Sequence, residues 1–312
     1  MHFKKKLINK KGYKYAVESF RLPDGKIKKI EVLINKNNKD KLKSIIDERK
    51  KKEFLKYALQ AYKADSVFTK EEFEKVEKIK YDYGRILANL SKQSKKDLFD
   101  RFTANFTYES NALEGNSLTL KDVAIVMFEN STIKGKDLRE IYETRNSRQV
   151  VEGIMDNKFK VYEEDVIKIH KILVKDLDIQ VGYKKFPNVL VGKKVKLTSP
   201  EKAKSEMEKL IKWYKENKGK FHPLKLAALF HGKFEQIHPF EDGNGRVGRF
   251  LINIILVNNK YPPLIIRRSQ RISYLTALEK FDNKYSKTLE RFILEKFKET
   301  YKKFFEIYIK YL

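Results

Sequence analysis

Cysteine is absent from the 312 residues, tryptophan occurs once and proline seven times. Without thiols there are no disulfides and no thiolate metal sites, and the compartment stays open, the cytoplasm being the simplest expectation. No HExxH or other metal-ligand spacing occurs. The longest apolar run, "FLINIILV" at 250–257, is far short of the roughly 20 residues that cross a bilayer. The basic start, "MHFKKKLINKKGY", has no apolar core behind it, so no signal peptide and no membrane partner are expected. No internal repeat and no Gly/Pro/Ser-rich linker interrupts the helical part, which reads as one unit.

What the chain has in excess is positive charge, a formal +27 from 69 Lys+Arg against 42 Asp+Glu. Such an excess draws nucleic acid and other anions through counterion release and steering. The plainer account is lysines that solvate helix surfaces, since most are interleaved with glutamates ("KEEFEKVEKIK") and no recognition-helix or RNP-type pattern stands out. A nucleic-acid partner is left open.

Residues 13–34 alternate apolar and polar side chains on both sides of Pro23-Asp24-Gly25, which predicts a β-hairpin. From about Asp40 the period becomes helical. Thr69 with Glu72 predicts a helix start, and a helix over 95–114 is stopped by Gly115. Thr119 and Asp122 open the next, followed by helices near 120–129, 136–156 and 163–177. The texture of 182–200 predicts a second short hairpin, after which helices return at 201–217, 223–237, 246–258 and 271–281. The last, 288–312, carries an apolar stripe that either packs on the core or forms the seam of a homodimer. The expected class is mainly α, with a hairpin at 1–38, a helical extension at 39–97 and a helical core at 98–312.

The chemistry concentrates in "HPFEDGNGRVGR", residues 238–249, between two helices whose apolar faces are Leu226, Phe230, Phe234, Ile237 and Val247, Phe250, Leu251, Ile254. Two buried helices make their joint rigid, and a rigid joint can hold a site. Pro239 bars the first helix from continuing past His238. Gly243 and Gly245 let backbone N–H groups turn inward ahead of a helix N-terminus, an anion nest suited to phosphate. Arg246 and Arg249, three apart, reach one side of the first turn. Asp242 beside a phosphate site is a natural Mg²⁺ ligand, and the imidazole of His238 suits proton transfer near neutrality. The parts add up to phosphate chemistry on a Mg-nucleotide. His170 and His231 lie on helical faces and read as packing residues, Trp213 as an interhelical contact, and His222 before Pro223 as a helix start.

The string matches the Fic signature His-Pro-Phe-x-Asp/Glu-Gly-Asn-Gly-Arg-x-x-Arg at its nine fixed positions, and the flanks "HPLKLAALFHGKFEQ" and "YPPLIIRRSQRISYLTAL" are similar to the family's neighbouring helices. The chain thus resembles Fic proteins over roughly 98–298, with a Fido domain at about 163–298. The resemblance implies a helical bundle with a β-hairpin flap and transfer of AMP from ATP to a Ser, Thr or Tyr hydroxyl of a target protein, self-modification included. By that resemblance His238 is the general base, Asp242 holds Mg²⁺, and Gly243, Asn244, Gly245, Arg246 and Arg249 hold the phosphates. Val189, Leu190, Val191 and Gly192 would belong to the flap that aligns the target by strand addition. Tyr274, Leu275 and Asp282 fall where the family lines its adenine pocket, although Asp282 departs from the usual Asn. Doc-type kinases carry Lys where this chain has Gly245, so the glycine points to adenylyl rather than phosphoryl transfer. Phosphocholine transfer has no positive support here.

"SNALEGN", residues 110–116, resembles the family's inhibitory motif in the class with an N-terminal inhibitory helix, here about 98–115. Glu114 would pair with Arg249 and put a carboxylate where the γ-phosphate belongs, with Ser110 as the motif's first residue. The alternative is a surface glutamate at a helix C-terminus, where the dipole mildly disfavours it. In some relatives this glutamate also positions water for removal of AMP, which leaves a reversible enzyme open. The contrasting class is a basic nucleic-acid-binding or regulatory protein with a vestigial Fic loop.

Overall fold

In the computed structural model, residues 1–129, 131–188 and 197–311 are described. The chain divides into two compact units, Met1–Tyr81 and Asp82–Leu312. In the first, the expected hairpin is part of a three-stranded antiparallel sheet in the order β1 (His2–Ile8), β2 (Lys11–Arg21), β3 (Ile27–Leu33). The Pro23-Asp24-Gly25 turn joins β2 to β3, with Asp24 Oδ1 accepting from Lys26 N–H at 3.0 Å. β1 is an edge strand of consecutive lysines with no alternation to betray it, so a two-stranded hairpin was the wrong count. α1 (Leu42–Ala61) covers one face, burying Ala16, Ile30 and Val32 against its Leu42 and Ile46. α2 (Lys70–Asn89) starts where Thr69 Oγ1 accepts from Glu72 N–H.

The second unit is helical: α3 (Lys92–Leu113), α4 (Leu120–Ala124), α5 (Leu138–Met155), α6 (Glu163–Leu173), α7 (Pro200–Asn217), α8 (Pro223–Ile237), α9 (Asn244–Asn258), α10 (Arg271–Asp282) and α11 (Ser286–Phe304). Thr119 and Asp122 cap α4 reciprocally, as their spacing predicts, and a single π turn at 125–129 follows. α6 ends at Leu173, four residues before the expected Leu177. α9 is buried from Asn244 to Leu256 apart from Gly245, so its apolar positions run all round the helix, the pattern of a central element. α8 packs along it, and α3, α5 and α6 flank it. The C-terminal stripe settles on the core: Leu289, Ile293, Phe297, Tyr301 and Phe304 are buried, and α11 packs on α8 and α10. The expected helix at 288–312 instead gives way to a 3-10 turn at Glu306–Tyr311. Among the described residues no helix is long and apolar enough to cross a membrane. The flap positions Val189, Leu190, Val191 and Gly192 lie outside the described residues.

Candidate active site

The joint between α8 and α9 is built by conformation and by side chains that tie the loop to itself. His238 ends α8 in a left-handed conformation (φ 49°, ψ 61°), its N–H still donating to the Phe234 carbonyl at 2.9 Å. A non-glycine residue there is held at a cost of order 1 kcal/mol, which the surrounding contacts must sustain. Gly243 precedes α9 at φ 80°, a backbone that favours glycine. Asn244 closes the bend, its Oδ1 accepting from Phe240 N–H at 2.9 Å and its Nδ2 donating to the Phe240 carbonyl at 2.8 Å. The Asn244 side chain is therefore committed to the loop, and only its backbone N–H is left for a nest. The first N–H groups of α9 have no carbonyl partner within the helix and carry its positive dipole end.

A second layer of contacts pins this loop. Phe240 is fully buried, its ring stacked on His170 with centroids 4.0 Å apart. His170 Nδ1 accepts from Gly182 N–H at 3.1 Å, which leaves Nε2 to donate to the Asp242 carbonyl, also at 3.1 Å. Burial holds this imidazole neutral, pushing its pKa down to about 4 against the opposing pull of Asp242. Tyr183 pairs with Phe240 in an antiparallel bridge, Lys184 N–H donates to the Pro239 carbonyl at 2.9 Å, and Asn188 Nδ2 donates to the Phe240 and Glu241 carbonyls. Residues 182–188 thus run alongside the loop. Read from the sequence alone His170 is packing; in the fold it also sets the position of the Asp242 backbone.

The two arginines separate in their contacts. Arg249, buried, donates from Nε to Ser110 Oγ at 2.9 Å and from Nη2 to the Ser110 carbonyl at 2.8 Å and Glu114 Oε1 at 2.7 Å. Glu114 caps the C-terminal end of α3, the end its own dipole disfavours, and the Arg249 guanidinium compensates. Loss of hydration would raise the Glu114 carboxyl, but Arg249 and the more distant Arg246 outweigh it and hold the group below the usual carboxylate range. A Cβ at Gly245 would collide with Glu114 Oε1 and stand 3.1 Å from Arg249 Nη1, so this glycine is what admits the carboxylate to the first turn of α9. Arg246, equally buried, lies 3.3 Å from Glu143 Oε1 and 3.7 Å from Asp242 Oδ1, and its Nε and Nη1 make no hydrogen bond among the described residues. Unspent donors on a buried guanidinium suit an anion.

Asp242, 42% exposed, is held by Arg139, whose Nη2 donates to Oδ2 at 2.9 Å. One accessible carboxylate of hard oxygens beside the N-terminal end of α9 is a donor Mg²⁺ commonly takes beside phosphate and water, so the residue fits that ion once Arg139 yields. Behind His238 lies a buried polar row. Glu235 Oε2 is 3.8 Å from His238 Nδ1, Glu235 Oε1 is 3.9 Å from His231 Nδ1, and His231 Nε2 shares a 2.7 Å hydrogen bond with Tyr274 Oη. Burial pushes His231 down to about 3, with Arg249 adding to the effect. A Cβ on Gly248 would stand 2.5 Å from Glu235 Oε1 and 2.8 Å from the His231 ring, so this glycine makes room for the row. Tyr274 is buried and its hydroxyl engaged, whereas Leu275 and Asp282 are half-buried on the same helix. Arg139, Glu143, Glu235 and Gly248 had no signal in the sequence: Arg139 and Glu143 act through partners distant in the chain, Glu235 through neighbours one turn away whose alignment only the fold shows, and Gly248 through the space it leaves.

Residues 160–256 match the family model described as Fic/DOC family. That segment is similar to Fic/DOC domains. The protein adenylyltransferase Fic of Nematostella vectensis is 30% identical over 192 residues, 60% of this chain and 45% of that protein. Its namesake from Drosophila virilis is 30% identical over 193 residues, 60% and 40% of the two chains. The chain therefore spans less than half the length of these curated relatives. A Fic-domain-containing signalling protein from Bacteroides thetaiotaomicron superposes with a TM-score of 0.67 at 28% identity, covering 75% of this chain and 95% of that one. Fic-1 from C. elegans superposes at 0.63 with 20% identity, over 78% and 71%, a likeness of fold. The loop 238–249 lies inside the matched Fic/DOC residues, while Ser110 and Glu114 lie outside them.

Proposed function

We propose that this chain is a protein adenylyltransferase that its own Glu114 holds in check. One observation carries the reading: an internal carboxylate already sits at the N-terminal turn of α9, against Gly245 and Arg249, in a site whose other buried guanidinium, Arg246, has donors to spare. A site that binds an anion from within its own chain is built for one from outside. In the productive complex, ATP phosphates would take Arg246, Arg249 and the first N–H groups of α9, with Asp242 holding the Mg²⁺ that neutralises phosphate charge. His238 accepts the proton of a target Ser, Thr or Tyr hydroxyl while that oxygen bonds to the α-phosphorus; the bond to the bridging oxygen breaks and pyrophosphate leaves. Glu235 beside Nδ1 favours the tautomer that leaves Nε2 to take the proton. The flap positions Val189 to Gly192, with Tyr274 and Leu275 on the adenine side, complete the reading.

Gly245 supports adenylyl rather than phosphoryl transfer, since Doc-type kinases carry Lys at this position, and a side chain here would also collide with the seated Glu114. Glu114 can also orient water against an AMP-modified hydroxyl, which would make the same site remove what it adds. The test is incubation of the full chain with ATP labelled at the α-phosphate and Mg²⁺, in parallel for wild type, Glu114→Gly and His238→Ala. Label in protein that is faint in wild type, strong in Glu114→Gly and absent in His238→Ala is expected. Equal behaviour of all three overturns the reading, and label from γ- but not α-labelled ATP replaces it with a kinase.

A further inference from the structure

We propose that the face of the N-terminal sheet turned away from α1 is a docking surface for double-stranded DNA. The strand register sorts the side chains. Ala16 pairs with Phe3 and Val32, and Glu18 with Ile30, on the face that α1 covers. Tyr15 pairs with Lys4 and Leu33, Tyr13 with Lys6, Lys11 with Ile8, and Arg21 with Ile27 on the other. That second face also holds Lys29, opposite Ser19, and its one acid, Glu31, which is bound by Lys6 and, at 2.8 Å, by Lys29. Lys6 additionally lies over the Tyr15 ring at 5.1 Å. Lys4, Lys11, Arg21 and Lys29 are exposed.

Solvation alone does not account for this pattern. Residues 1–34 carry ten Lys and Arg against three Asp and Glu, a steeper imbalance than the 69 to 42 of the whole chain. Lysines on edge strands guard against edge-to-edge pairing, which covers Lys4 on β1 and Lys29 on β3. It extends to Lys11, where β2 pairs with β1 alone, and to Arg21, where it pairs with β3 alone, but not to the gathering of these four cations on one face. Shape then favours one occupant. The two-stranded ribbon β1–β2, with strands about 4.8 Å apart, is about 10 Å across, within the roughly 12 Å of the B-DNA major groove, which admits such a ribbon. At about 3.4 Å per residue β2 extends about 37 Å, close to one turn of the duplex. The cations can then reach phosphates on both walls while Tyr13 and Tyr15 offer hydroxyls to backbone or bases.

The test is fluorescence anisotropy of the full chain with a labelled 20-base-pair duplex across a salt series. Binding with a log–log salt slope of about −4 to −5 is expected, the value for about five neutralised phosphates. Combined Lys4→Gln, Lys11→Gln, Arg21→Gln and Lys29→Gln should weaken binding at least 100-fold at 0.1 M salt and flatten the slope by about 4. Removing four exposed lysines of α7 instead (Lys202, Lys204, Lys209 and Lys212, each to Gln) should leave it within threefold, and His238→Ala should bind as wild type does. An unchanged circular dichroism spectrum controls for folding, and the pair Lys11→Gln/Arg21→Gln alone should still cost about tenfold or more. The proposal fails if the duplex does not bind at 0.1 M salt, or if the α7 set weakens it equally. It fails too if single-stranded RNA or phosphatidylserine vesicles bind more tightly and depend on the same four residues. None of these outcomes touches the adenylyl-transfer reading.

Discussion

Glu114→Gln is the sharpest perturbation of the site. It keeps the size of the side chain and its place at the end of α3 but removes the charge that meets Arg249 at 2.7 Å. A hydrogen bond between charged groups contributes about 1.5–3 kcal/mol when shielded. The Glu114 side chain is 44% exposed, so solvent screening brings the figure to about 1–2 kcal/mol. In the proposed self-inhibition ATP must break that contact to reach Arg249, so its removal is expected to strengthen nucleotide binding by about 5- to 30-fold. Arg249 keeps its two bonds to Ser110 in the variant, so the guanidinium stays in place. Titration calorimetry with Mg-ATP reads the affinity directly, and α-phosphate labelling should rise in step. An affinity within twofold of wild type, with Arg249→Ala abolishing binding, would show that Glu114 does not compete with nucleotide.

Three further outcomes follow from the same geometry. His170→Phe keeps the stack on Phe240 but strands the Gly182 N–H and the Asp242 carbonyl, at about 1–3 kcal/mol for each buried group left without a partner; thermal unfolding should fall by several degrees, and an unchanged midpoint would mean these bonds contribute nothing. His170 and His231 are held neutral with folded pKa values of about 4 and about 3, below the unfolded 6.5. Between those values the unfolded chain binds more protons, so the stability they contribute is present above pH 6.5 and is lost as pH falls. Urea unfolding should show a loss of about 3–4 kcal/mol between pH 7 and 5, at up to about 1.4 kcal/mol per pH unit for each ring, and a flat profile over that window would contradict the assignment. Glu235→Gln should lower the turnover of adenylyl transfer with ATP affinity unchanged, and should lower the pKa of His238 measured by NMR; an unmoved His238 titration would exclude Glu235 as its orienting group.

The loop 238–249 was legible because its constraints are local: a proline to stop α8, a glycine at 243 where the backbone turns left-handed, and charges at a helix N-terminus all act within a dozen residues. The capping pair Thr119 and Asp122 was legible for the same reason. β1 was not, because an edge strand of lysines has no buried face to impose alternation; its register comes from β2. The row Glu235–His231–Tyr274 was not legible either, since Tyr274 joins it only when α10 meets α8, nor was the pair Arg139–Asp242, 103 positions apart, which forms only when α5 meets the loop. At Asn244 the motif points to a phosphate nest, and the fold adds what the motif does not tell: the side chain is a clasp for the main chain of Phe240, leaving the backbone N–H for that nest.

α3 has a mechanical consequence. Its 22 residues form one unbroken helix from Lys92 to Leu113, capped by Glu114, a pushrod about 33 Å long at 1.5 Å per residue. The 2.7 Å grip at its tip cannot survive a slide of even one residue's rise, since 4.2 Å lies outside hydrogen-bonding range. Under the proposed self-inhibition, whatever seizes the far end near Lys92 would therefore unlock chemistry three nanometres away without touching the nucleotide.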